Sequence, residues 1–127
     1  MADPMASARP MELALQEARA AARRGEVPIG AVIVRGDAVL ARAGNRTLER
    51  DDPTAHAEML AIRAAAEAVG SQRLTGADLY VTLEPCTMCA AAISFARIRR
   101  LYFGAPDPKG GAVENGVRLF TQPTCLH

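Results

Sequence analysis

Leu79-Tyr80-Val81-Thr82-Leu83-Glu84-Pro85-Cys86-Thr87-Met88-Cys89 reads as a strand that runs directly into a helix. Leu79 to Leu83 is apolar, aromatic and β-branched, the composition of a buried strand. Pro85 suits the first turn of a helix, where its fixed φ helps and its missing N–H is not needed. The alanine-rich stretch from Cys86 to about Ala96 has the composition to carry that helix on. Cys86 and Cys89 are three apart, so their sulfurs share one helical face and can share a metal. A helix N-terminus also favours thiolates, through its dipole and its unpaired N–H groups.

Upstream, Thr54-Ala55-His56-Ala57-Glu58 opens a second helix, expected from about Thr54 to Val69. Met59, Ile62, Ala66 and Val69 fall on one side of it, and Gly70 stops it. Earlier still, Met11, Leu15, Ala18 and Ala22 recur at helical spacing, with Glu12, Glu17, Arg19 and Arg23 on other faces. Gly25 ends that helix and Pro28 redirects the chain. Ile29 to Val34 is a buried strand, Gly36-Asp37 a tight turn, and Ala38 to Ala41 a returning strand, so the pair forms a hairpin. Asn45 to Pro53 is polar and turn-rich. Beyond the cysteines, Arg100 to Phe103 gives a fourth strand. The Gly-, Pro- and Asp-rich remainder from Gly104 reads as a loop, with a short element at Val117 to Phe120. The order α-β-β-α-β-α-β implies an α/β fold, a mixed sheet with an antiparallel N-terminal hairpin and covering helices. No repeat or second domain is visible in the 127 residues.

Bulk composition narrows the function. Half of the residues are hydrophobic and the formal net charge is +1, which does not announce a nucleic-acid binder. Five aromatic residues are too few for a row of base-stacking rings. Arginines cluster at Arg23-Arg24 and at Arg97, Arg99 and Arg100, where they either meet phosphates or keep a solvated face. No stretch is long and apolar enough to span a membrane. Met1 to Pro10 lacks the basic end and apolar run of a secretory signal and is expected to be a disordered arm. Three cysteines, two of them close together, suit metal or catalytic use in a reducing cytoplasm better than a disulfide framework.

His56, Cys86 and Cys89 make three metal ligands, and three protein ligands leave the fourth tetrahedral position of a zinc ion open, as in catalytic sites. Glu58 would act on protons, not bind the metal, since a long carboxylate at a helix start can reach a water beside the ion. Taken singly, each residue has a plainer reading. His56 could be structural, Cys86 and Cys89 a redox pair, Glu58 a surface charge, and Met59 and Met88 core fillers. Cys125 or His127 could also close the coordination shell and leave a non-catalytic structural zinc module. Taken jointly, His-Ala-Glu and Pro-Cys-x-x-Cys at two helix starts match the zinc nucleobase deaminase pattern.

With Glu26-Val-Pro-Ile-Gly-Ala31, Asn45-Arg46, Asp52 to Glu58, Leu79 to Cys86, and Phe103 to Asp107 with Lys109, the chain resembles the cytidine-deaminase-like superfamily, and within it the bacterial tRNA adenosine deaminases. The resemblance runs from about Met11 over nearly the whole chain. It implies a three-layer α-β-α fold, one Zn²⁺ per subunit, a homodimer, and conversion of the wobble adenosine of a tRNA anticodon stem-loop to inosine in the cytoplasm. It implies that Asn45 contacts the target nucleotide and that Asp107 lies near the sugar of a flanking nucleotide. Backbone atoms around Leu83, Glu84 and Cys86 would grip the exocyclic amine and the incoming oxygen. The expected organisation is a flexible arm over 1–10 and one zinc deaminase domain over 11–127, shorter at its C-terminus than is usual in the family. Ser94-Phe95 stands where other members carry more polar pairs. A free nucleobase or nucleoside deaminase acting on guanine, cytosine or cytidine would keep the same zinc set. Asn45 and Asp107 favour the tRNA enzyme.

Overall fold

The computed structural model describes residues 9–125 and 127. The elements run α1 (Arg9–Arg23), β1 (Gly30–Arg35), β2 (Ala38–Gly44), α2 (Ala57–Val69), β3 (Asp78–Leu83), α3 (Thr87–Phe95) and β4 (Arg100–Ala105), with a short 3-10 turn at Leu119–Thr121. The four strands form one mixed sheet in the order β2-β1-β3-β4. β1 is antiparallel to both β2 and β3, and β3 is parallel to β4. The expected hairpin is present, with an irregularity between Ile33 and Val34 where Val34 pairs with Val39.

β1 shows why the protein has three layers. Its residues from Gly30 to Val34 are all buried, as expected of a strand covered on both faces. Alternate side chains go to opposite faces. Ala31 and Ile33 join a core with Leu79, Val81, Ala57, Ala61, Ala65 and Ile93, on the side of α2 and α3. Val32 and Val34 join a smaller core with Tyr80 and Ala14, on the side of α1. α1 sits very close to the sheet, because a Cβ at Gly30 would collide with the carbonyl oxygen of Ala14. Only glycine allows that approach.

Several boundaries differ from the sequence expectations. α1 begins at Arg9, so the arm expected over 1–10 gives up Arg9 and Pro10 to the helix; residues 1–8 lie outside those described. Pro10 is buried in the first turn, where proline is tolerated. α2 begins at Ala57, not Thr54. Asp52 Oδ1 accepts both the N–H and the Oγ1–H of Thr54, at 2.8 and 2.7 Å, and this turn holds Thr54 and Ala55 out of the helix. Pro85 precedes the helix instead of lying in its first turn, because Cys86 is an extended N-cap with φ −74 and ψ 175. β2 and β4 run on to Gly44 and Ala105, past the apolar residues that announced them.

Candidate zinc centre

Two helix starts converge at the C-terminal end of β3. His56 is the N-cap of α2, extended at φ −72 and ψ 154, and makes no side-chain hydrogen bond to the helix it caps. Its ring is therefore free to face across to Cys86, the N-cap of α3, and to Cys89, three residues further on. His56 Nδ1 lies 3.7 Å from Cys86 Sγ and 3.5 Å from Cys89 Sγ, and the three donor atoms lie within 4.8 Å of one another. A tetrahedral ion with Zn–S of about 2.3 Å and Zn–N of about 2.0 Å sets its sulfur and nitrogen ligands about 3.5 Å apart. The trio therefore has the span and the donor chemistry for zinc.

The electrostatics of the trio also suit a cation. The Cys86 thiol is lowered to about 5, first by hydrogen bonding with Cys89, then by the N–H groups of Cys89 and Met88 and the nearby His56. The Cys89 thiol is pushed up in turn, chiefly by the same pairing with Cys86 and by its burial. One thiolate is thus favoured at this helix start before any ion is considered. Glu58, in the first turn of α2, is 4% exposed. Burial raises its carboxyl above the ordinary value of 4.5. Its Oε1 is buried without a hydrogen-bond partner. An orphaned carboxylate oxygen is costly to bury, and beside a zinc trio it is an acceptor waiting for a water or a substrate proton.

The remaining predicted residues flank this centre. Leu83 ends β3, partly exposed. Asn45 is buried, and its amide donates to Glu26 Oε1 at 3.4 Å and to Thr47 Oγ1 at 3.2 Å. Asp107 follows β4, where its Oδ1 accepts the N–H groups of Lys109 and Gly110. Glu84 was expected to act through its backbone, yet its side chain is buried and strongly hydrogen-bonded. Burial alone would raise its carboxyl, but N–H groups of Asp107, Asn115 and Val113 and the Asn115 amide outweigh it and hold it at about 2. Cys125 and His127 do not join the trio. Cys125 Sγ lies 3.6 Å from Ser94 Oγ, and His127 Nε2 lies 3.1 Å from the carbonyl of Ile98.

Sequence reasoning missed the side chain of Glu26. It is buried and accepts the N–H groups of Leu48 at 3.1 Å and Glu49 at 2.8 Å, so it fixes the loop that carries Asn45. Burial alone would raise this carboxyl too, but those N–H groups, with Asn45 and Arg24, lower it below 4.5. Its signal was faint: an acid flanked by Gly25 and Val27-Pro28, where a solvated charge would be the default.

Two thiols, one imidazole and a buried carboxylate at paired helix starts define a hydrolytic zinc centre of the deaminase kind. Residues 5–105 match the family described as the cytidine and deoxycytidylate deaminase zinc-binding region. A tRNA-specific adenosine deaminase of Agrobacterium fabrum is 74% identical over 117 residues, covering 92% of this chain and 77% of that protein. A solved structure from work on A-to-I editing by tRNA:A34 deaminases superposes with a TM-score of 0.93 at 72% identity, over 94% of this chain and 87% of that one. The guanine deaminase of Bacillus subtilis shares the fold more distantly, with a TM-score of 0.76 at 37% identity over 78% of this chain and 64% of that one. The chain belongs to this zinc deaminase family and, within it, to the tRNA-specific adenosine deaminases.

Proposed function

We propose that the protein hydrolyses the wobble adenosine of a tRNA anticodon loop to inosine, using His56, Cys86 and Cys89 to hold zinc and Glu58 to move protons. The observation that carries this reading is the orphaned, buried Oε1 of Glu58 beside a donor trio of zinc dimensions. It stands in a chain 74% identical to a tRNA-specific adenosine deaminase. Zinc held there supplies a Lewis acid that eases the ionisation of water near neutral pH. The protein groups do the rest. An unpaired anticodon base enters the site at little energetic cost, since no base pair has to open. Glu58 removes a proton as the water oxygen attacks C6 of adenine, and it then protonates the ring nitrogen. As the C6–N bond breaks, Glu58 takes the proton of the new C6 hydroxyl and passes it to the departing amine, which leaves as ammonia while the C6 oxygen becomes a carbonyl. Backbone groups at Leu83, Glu84 and Cys86 orient the amine and oxygen. Asn45 and Asp107 hold the target nucleotide and its neighbour.

The active unit in this reading is one domain that includes α1 from Arg9 onward, working as a homodimer in the cytoplasm, where its tRNA substrate resides. Phe95, 77% exposed on α3, supports a paired state, since it borders an apolar groove with Ala91, Leu119 and Cys125. The test is inosine formation in an anticodon stem-loop RNA, read by mass spectrometry. Inosine at the wobble position alone is the expected result. Glu58→Gln should keep its zinc and lose about 10² to 10⁴ in rate, and near-normal turnover by that variant would refute the assignment. Guanine deamination is the second reading, favoured by the fold shared with the Bacillus subtilis enzyme. Conversion of free guanine to xanthine, with no inosine in the RNA, would establish it instead.

A further inference from the structure

We propose that Glu84 is a positioning residue, whose side chain fastens the 107–115 loop to the start of α3 and so sets the substrate-facing wall of the site. This rests on the deaminase reading above, but the supporting geometry is independent of it. Glu84 is 3% exposed, and both of its carboxylate oxygens are fully engaged. Oε1 accepts the backbone N–H of Asp107 at 2.9 Å and the amide of Asn115 at 2.6 Å. Oε2 accepts the N–H groups of Val113, Glu114 and Asn115 at 3.0, 2.9 and 3.0 Å. All five partners lie between 107 and 115. One buried carboxylate thus gathers a segment that has no helix or strand of its own.

The loop is built to receive this carboxylate. A Cβ at Gly111 would collide with Glu84 Oε2 and Cδ, so the chain passes the carboxylate only as glycine. The adjacent N–H of Ala112 donates to the carbonyl of Pro85 at 2.9 Å, tying the loop to the residue before Cys86. Asp107 is therefore held at both of its ends. Its own N–H is bound by Glu84, while its Oδ1 closes the turn onto Lys109 and Gly110. An amide cannot replace the carboxylate here, because every partner is a donor. Whichever way a glutamine is turned, its NH₂ group faces at least two of those donors.

Lys109 is the single lysine of the chain and lies exposed in this loop, so a protease that cuts only after lysine reads the loop alone. With zinc-loaded protein, the native loop should resist cleavage at Lys109–Gly110. Glu84→Gln should be cut at least about tenfold faster, since cleavage follows local opening. Zinc content and far-UV circular dichroism should be unchanged. On the stem-loop RNA, KM should rise about tenfold with kcat within about threefold, the signature of lost substrate positioning. Glu84→Asp should recover part of both effects, and Asn115→Ala, which removes one donor side chain, should shift both in the same direction but less. Equal cleavage rates for native, Glu84→Gln and Asn115→Ala proteins would overturn the proposal, as would a fall in kcat with KM unchanged. Because the proteolysis needs no substrate, faster cutting without any inosine in the native enzyme would leave this loop role standing and reject the deaminase reading.

Discussion

Leu79→Ala should destabilise the protein near the upper end of what a single core truncation can do. Leu79 is fully buried near the start of β3, paired with Ile33 on one side and Leu101 on the other. Above it lie α2, which faces the sheet with Ala57, Ala61 and Ala65, and α3, which contributes Ile93. Removing three carbons forfeits about 2.4 kcal/mol of transfer free energy at about 0.8 kcal/mol each. The cavity adds more, and truncations of this kind range over about 2.7 to 5 kcal/mol according to how well neighbours close in. Alanines have no side-chain torsion with which to fill a void, so closure here requires moving a helix. The expected loss is therefore about 4 kcal/mol. At about 2.1 cal/mol/K per residue, 127 residues give an unfolding entropy of about 0.27 kcal/mol/K, and Tm should fall by about 15 °C. Calorimetry and urea unfolding measure this directly, and the urea m-value should not change. At 20 °C the surviving folded enzyme should still make inosine, because the zinc trio is untouched. A fall in Tm below about 5 °C would refute the reasoning, for it would mean that the layer between β3 and the two helices relaxes freely.

Chelation should abolish deamination, and added zinc should restore it. Cys89→Ser should bind zinc at least about tenfold more weakly, since serine keeps its proton where the thiolate would ligate, and equilibrium dialysis against a zinc indicator reads the difference. Glu26 has its carboxyl lowered below 4.5 in the folded state, so its stabilising contribution is present above 4.5 and is lost as pH falls through the lowered folded value. Glu26→Gln should accordingly show a flatter decline in urea midpoint below pH 4.5 than the native protein. An equally steep acid limb would show that its hydrogen bonds to Leu48 and Glu49 add nothing.

The zinc trio was legible because its chemistry is concentrated in short segments. His56 and Glu58 stand two apart, Cys86 and Cys89 three apart, and each pair opens a helix announced by composition. The strand Ile29 to Val34 was legible for a related reason, since a strand buried on both faces is apolar without interruption. What escaped was long-range. Nothing in the sequence of β1 says that it lies between β2 and β3, antiparallel to both. The start of α2 was misplaced because one aspartate, Asp52, wins the backbone of Thr54 for a turn. Glu26 and Glu84 look like surface acids because their partners are main-chain N–H groups, which every residue but proline carries and which no pattern of side chains reveals.

The placement of two metal ligands on helix caps has a consequence for chain entropy. His56 and Cys86 are 30 residues apart. An ion shared between them would close that span as a cross-link does, and in the loop-entropy account a bridge of such length withholds about 3.7 kcal/mol of freedom from the unfolded chain at 25 °C. Unlike a disulfide, this bridge can be taken out with a chelator and put back without oxidation. The same ion would then serve as reagent and as removable staple, and the metal-free chain would unfold into a wider ensemble than the loaded one.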